Sequence, residues 1–209
     1  MRKAPAINFI PIMTTASRSL VLTFTVAFSL FLISCDSPKT IYDLNDSSYL
    51  LRDTDSTQVN FPADFSGNIS VITFIYTNCP DVCPVITANM SNIQKQLEDP
   101  SGINFIEISF DPQRDTPSVL KKYKDLYNLN DQFTMLTGRS SVIRELLDKV
   151  KIVAEKVYPD STVQDSSNYT MRHSNYIFLM DGESHIRAKY PASVVPPKNV
   201  IEDIQTLRN

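Results

Sequence analysis

The sequence predicts an α/β fold, with a central mixed β-sheet flanked by helices and an N-terminal β-hairpin. Three observations carry that reading. The run Val71–Tyr76 (V-I-T-F-I-Y) is almost entirely apolar and rich in β-branched and aromatic types, the pattern of a strand buried on both faces. It breaks at Thr77-Asn78, passes Cys79, Pro80 and Cys83, and resumes at Pro84 with Val85, Ile86, Met90, Ile93 and Leu97 at helical spacing. Short apolar runs then alternate with helical stripes to the C-terminus.

The elements follow in order. Ser48–Asp53 and Gln58–Phe61 read as two short strands joined by the polar turn D-T-D-S-T, which makes the N-terminal hairpin. After the Val71–Tyr76 strand, Pro84 suits a first helical position, where its missing N–H has no intrahelical partner. That helix stops near Asp99-Pro100-Ser101-Gly102. Ile103–Phe110 reads as a strand and Asp111–Asp115 as a loop. Thr116 caps a helix with Pro117 at its first position, running to about Asn128. Phe133–Leu136 is a strand ended by Thr137-Gly138, and Ser140 or Ser141 caps a helix through about Lys151. Lys156–Arg172 is polar and without periodicity, and long loops inside compact domains are often functional. Tyr176–Met180 and His185–Tyr190 form a hairpin about Asp181-Gly182, and Pro197–Leu207 a final helix. The order β-α-β-α-β-α-β-β-α, with cysteines where a strand runs into a helix, is a thioredoxin-like arrangement. In open α/β sheets the chemistry lies beyond the carboxyl ends of the strands.

The N-terminus reads as a targeting segment. Leu20–Ile33 is an apolar run of 14 residues behind Arg18, too short for a spanning helix of about 20 residues and suited to a signal-peptide core. It ends in L-I-S-C, which resembles the lipobox of bacterial lipoproteins, whose cysteine is lipidated after processing. On this reading residues 1–34 are a lipoprotein signal peptide, 35–47 a polar tether and 48–209 the folded domain. Lipid on Cys35 contributes roughly 0.8 kcal/mol per buried CH₂ and holds the body at the extracytoplasmic, periplasmic-side face of the cell membrane. That compartment permits disulfides. Residues 1–34 hold Arg2, Lys3, Arg18 and no acid, leaving 17 basic and 23 acidic residues beyond them. An acidic body argues against nucleic acid as a partner. Four glycines in the whole chain leave no glycine-rich phosphate loop.

With Cys35 assigned to lipid, Cys79 and Cys83 are the remaining two of three cysteines. A disulfide across so short a spacer constrains the unfolded chain little, so stability is a poor reason for the pair. Beside a helix N-terminus both thiols are expected to favour thiolate. Two such groups either close a redox-active disulfide or hold a soft metal. Of the two histidines, His173 borders the long polar loop at the edge that approaches the cysteines. His185 lies in the outer hairpin strand and reads as an exposed surface residue. Asp81 reads as a solvated turn residue, and Asp111, Arg114 and Asp115 as an ion-pair and capping set that fixes their loop. A peroxidase is excluded, because Tyr76 stands where that pattern needs threonine three residues before the cysteine.

The segments T-N-C-P-D-V-C-P (77–84), I-S-F-D-P-Q-R-D-T-P (108–117), L-T-G (136–138) and R-H-S-N-Y-I-F-L-M-D (172–181) resemble the Sco/SenC family. Those are copper-binding, thioredoxin-fold assembly factors of cytochrome c oxidase, and the resemblance covers roughly Tyr49 to Leu207. It implies that Cys79, Cys83 and His173 are copper ligands, for Cu(I) or Cu(II). It implies as well that the partner is the copper-receiving oxidase subunit. Soft thiolates select Cu(I), and an added imidazole allows Cu(II) to be held. The alternative is an enzyme, a membrane-tethered thiol–disulfide oxidoreductase whose exchange partners are the recipient's cysteines. The C-x₃-C spacing and the histidine favour copper. One position departs from the family: Arg172 replaces the usual Asp before the histidine, and its charge is expected to keep the His173 ring neutral.

Overall fold

The computed structural model describes residues 39–159 and 168–208. The expected signal segment 1–34, Cys35, the start of the tether and residues 160–167 of the polar loop lie outside them. The strands are β1 (Tyr42–Asp43), β2 (Tyr49–Arg52), β3 (Gln58–Phe61), β4 (Ile69–Ile75), β5 (Ile103–Ser109), β6 (Phe133–Gly138), β7 (Ala154–Val157), β8 (Thr170–His173), β9 (Tyr176–Met180) and β10 (His185–Pro191). The helices are α1 (Val82–Gln96), α2 (Pro117–Leu126), α3 (Ser140–Lys149) and α4 (Pro197–Arg208).

Eight strands form one mixed sheet in the order β1-β10-β9-β4-β5-β6-β2-β3, and β7 and β8 form a separate two-stranded ribbon. The inner strands β4, β5 and β6 are parallel, while β9 joins β4 antiparallel. All seven residues of β4 are buried, because helices cover both faces of the sheet there. Ile72 and Phe74 of β4 meet Leu146 and Val150 of α3 and its end, together with Leu44, Phe61 and Phe178. One residue out of phase, Glu107 of β5 points to the opposite face and touches Thr87 of α1, which packs on α4.

The expected hairpin is β2–β3, paired Tyr49 with Phe61 and Arg52 with Gln58. Asp53 closes its turn by accepting the amides of Asp55 and Thr57 at 2.9 and 2.8 Å. Leu51 of β2 pairs with Gly138 of β6, where a Cβ would come within 2.8 Å of the Leu51 side chain. The absent side chain lets the hairpin close against the sheet.

Three expectations are corrected. The second half of the segment read as a tether joins the sheet: β1 pairs with β10, and Leu44 is 1% exposed. A strand of two residues is too short to leave a periodic signal. The helix after the cysteines begins at Val82, before Pro84, so Cys83 lies inside its first turn. Proline is still tolerated there, since the first N–H groups of a helix are unpaired anyway. The polar stretch Lys156–Arg172 overlaps β7 at its start and β8 at its end, and these strands pair Ala154 with His173 and Glu155 with Arg172. The exposed and half-buried residues of this ribbon alternate, and its polar composition masked the strand.

Candidate metal centre

The centre begins at the carboxyl end of β4. Beyond Tyr76 the chain turns, with the Cys79 amide donating to the Tyr76 carbonyl at 3.3 Å. Asp115, fully buried, holds this turn from the side: it accepts from the Thr77 amide at 3.0 Å, the Thr77 hydroxyl at 2.6 Å and the Ser109 hydroxyl at 2.6 Å. Its carboxyl is raised by burial, against which these three donors act. The capping set read from D-P-Q-R-D-T therefore reaches into the cysteine loop.

Cys79 is 9% exposed and Cys83 fully buried, and both are free thiols. Burial raises Cys79, but the amides of Cys83, Asp81 and Val82 outweigh it and leave its pKa lowered. The Cys83 amide lies 3.5 Å from the Cys79 sulfur. Burial pushes the Cys83 thiol far above the ordinary range. The expectation that both thiols favour thiolate holds for Cys79 alone. The free amides at the start of α1 point at Cys79, while Cys83 turns into the core.

His173 ends β8 and is half-buried between aromatic rings, with its centroid 4.8 Å from Phe110 and 5.7 Å from Tyr76. Its Nδ1 lies 3.2 Å from the Ser174 carbonyl, which only accepts. That places the proton on Nδ1 and leaves the Nε2 lone pair for a ligand. Burial lowers its pKa, partly offset by the Ser174 carbonyl. Arg172 takes no part: neighbouring strand residues face opposite ways, and Arg172 is 75% exposed and paired with Glu155 across the ribbon. Burial, not the arginine, keeps the ring neutral.

The ligand atoms of Cys79, Cys83 and His173 lie within 4.8 Å of one another. Two metal–sulfur bonds of about 2.3 Å span at most about 4.6 Å, so one ion fits between these donors with little closure. Two sulfurs and one imidazole nitrogen form a soft set, one donor short of a closed structural zinc site. Asp81 is exposed, as expected of a solvated turn residue.

His185 is corrected: its side chain is 19% exposed and lies 3.5, 3.6 and 3.7 Å from carboxylates of Asp181, Glu183 and Asp43. It ties the β9–β10 turn to β1, and Asp181 already accepts from Arg187 at 2.5 Å. The sequence reading missed Tyr169, whose hydroxyl donates to Asp111 at 2.6 Å, and Glu107. Glu107 is fully buried, accepts from Thr87 at 3.2 Å, and has its other oxygen unpartnered. Thr87 follows Cys83 by one helical turn, so this carboxyl lies on the core side of the buried thiol. Burial pushes it up to about 8, with the Thr87 hydroxyl acting the other way. An acid amid the apolar run I-N-F-I-E-I-S-F was the signal for it; nothing in the sequence pointed to Tyr169.

Sheet, helices and site together define a thioredoxin-like protein with a two-thiol, one-imidazole centre for a soft metal. Residues 40–209 match the family described as SCO1/SenC. The chain belongs to that family. A SCO2-like protein of Rickettsia typhi is 39% identical over 116 residues, which are 55% of each chain. The chain thus spans about half the length of that curated relative. The solved ScoI of Bradyrhizobium japonicum with copper bound is 28% identical, with a TM-score of 0.61 over 77% of this chain and 97% of its own. BsSco, a member of the Sco family of cytochrome c oxidase assembly proteins in which a disulfide switch was identified, is 25% identical. Its TM-score is 0.66 over 82% of this chain and 96% of its own.

Proposed function

We propose that this protein is a copper metallochaperone, binding copper through Cys79, Cys83 and His173 and delivering it to the dinuclear copper site of cytochrome c oxidase. The convergence of the two sulfurs and the imidazole within 4.8 Å carries this reading. Copper is the cargo. Cu(I) needs only the sulfurs, and the neutral imidazole adds the harder donor that Cu(II) requires. Ligation releases the thiol protons. Cys79, the more exposed sulfur, is where an incoming thiolate of the recipient first displaces a ligand, with Cys83 and His173 holding the ion until exchange completes. We place the protein on the periplasmic side of the cell membrane, anchored through lipidated Cys35, on the strength of the L-I-S-C sequence.

The unequal thiols favour a second reading, reduction of the recipient's disulfide. The Cys79 thiolate attacks that disulfide and expels one recipient thiolate, which takes up a proton. Cys83 then loses its proton, attacks Cys79 and releases the second recipient thiol, so two electrons pass out as the Cys79–Cys83 disulfide forms. His173 has no part in this sequence.

One set of variants of the full chain separates the two. Cys79→Ser and Cys83→Ser are each expected to abolish tight copper binding. His173→Ala is expected to lose the sulfur-to-Cu(II) charge-transfer band while both cysteines still oxidise to a disulfide, and His185→Ala to change neither. Cells carrying His173→Ala should assemble little active oxidase at limiting copper. Full oxidase activity in those cells would replace the chaperone by the reductase.

A further inference from the structure

We propose that Asp111, Arg114 and Tyr169 form a latch that holds His173 over the two sulfurs and so decides whether the site retains Cu(II) as well as Cu(I). This rests on the copper reading of the site.

The three donors belong to two different bodies. Cys79 and Cys83 lie between β4 and α1 of the main sheet, whereas His173 is on the β7–β8 ribbon, which shares no strand ladder with that sheet. At the His173 end the ribbon continues through Ser174 and Asn175 into β9. At the other end it is fastened by side chains. The Tyr169 hydroxyl donates to one Asp111 oxygen at 2.6 Å, and Arg114 Nε donates to the other at 2.5 Å. Arg114 Nη1 donates to the Tyr169 carbonyl at 3.0 Å, and its guanidinium lies 3.7 Å over the Tyr169 ring. Tyr169 and Asp111 are 3% and 2% exposed, so water does not compete for these bonds.

The position of the latch gives it leverage. His173 lies four residues beyond Tyr169, roughly 13 Å of extended chain. Asp111 directly follows Phe110, whose ring is the wall against which the imidazole packs at 4.8 Å. Four residues on, Asp115 holds Thr77 at the entrance to the cysteine loop. One loop thus touches both halves of the site and sets the distance between imidazole and sulfurs. Asp111, Arg114 and Tyr169 are positioning residues that act through His173. Loosening them leaves the sulfurs in place, and with them Cu(I), but withdraws the imidazole on which Cu(II) depends.

The test uses the full chain and copper alone, with chelator competition for each oxidation state and the Cu(II) charge-transfer and electron paramagnetic resonance spectra. Tyr169→Phe deletes one O–H and keeps the ring under Arg114. It is expected to weaken Cu(II) binding roughly 10–100-fold, the usual cost of removing an outer partner of a ligand, and to alter both Cu(II) spectra. Cu(I) affinity should stay at the wild-type value. Asp111→Asn still accepts from Tyr169 but gives up the charge that holds Arg114, so a smaller loss of the same kind is expected. That variant carries the test should Tyr169→Phe fail to fold. Wild-type Cu(II) affinity and spectra in a folded variant would overturn the latch, and so would equal losses for both ions. A wild-type chain that binds neither ion would remove the copper reading, and the latch with it.

Discussion

Cys79 and Cys83 are four residues apart, yet helix amides lower the pKa of one while burial raises that of the other. The same competition between burial and donors governs Glu107, which has one hydroxyl partner and no cation, and whose carboxyl is pushed up to about 8. Folding raises this group above its unfolded value of 4.5, so the native state keeps a proton that the unfolded chain releases. Its contribution to stability is whole below pH 4.5 and is lost as pH rises towards and through about 8. The copper-free wild type should therefore lose stability across that window, on the order of a few kcal/mol. Glu107→Gln should flatten the slope, as urea unfolding at the two ends of the window will measure. An unchanged slope would show that the carboxyl is ionised in the folded protein.

Elements divide the site's labour. The loop between β5 and α2 serves the cysteines through Asp115 and the histidine ribbon through Asp111 and Arg114, and the two halves fail differently. Asp115→Ala leaves the Thr77 amide and two hydroxyls without their acceptor in a buried place, at about 1–3 kcal/mol for each unsatisfied group. It should lower the unfolding midpoint and weaken Cu(I) and Cu(II) together, because it loosens the sulfurs themselves. Calorimetry alongside the two copper titrations checks this. Selective loss of Cu(II) would instead place Asp115 with the histidine ribbon.

At the scale of the whole molecule, the proposed lipid tether rests on the apolar run ending in L-I-S-C. Cys35→Ala should block acyl labelling and mature processing, and membrane fractionation should find the variant unanchored; normal labelling would remove the anchor. The sequence by itself carried the α/β order with a mixed sheet, the N-terminal hairpin and the cysteine pair, and its resemblance to a family added His173 as the third candidate donor. Buried strands such as Val71–Tyr76 and helices such as Pro117–Leu126 carry their periodicity locally, and the cysteine pair carries its chemistry in residue type and spacing. The lowered Cys79 thiol was legible from its place at a helix start, but the raised Cys83 thiol was not, because a pKa depends on what packs around the sulfur. The edge strand at Tyr42 and the ribbon at Thr170–His173 were hidden too, being short, polar and defined only by distant partners. Tertiary structure alone decided that Arg172 faces away from the ring it precedes. It also decided that Tyr169, 58 residues beyond Asp111, meets it at 2.6 Å. Contacts of that separation form only when the sheet closes, and no local pattern records them.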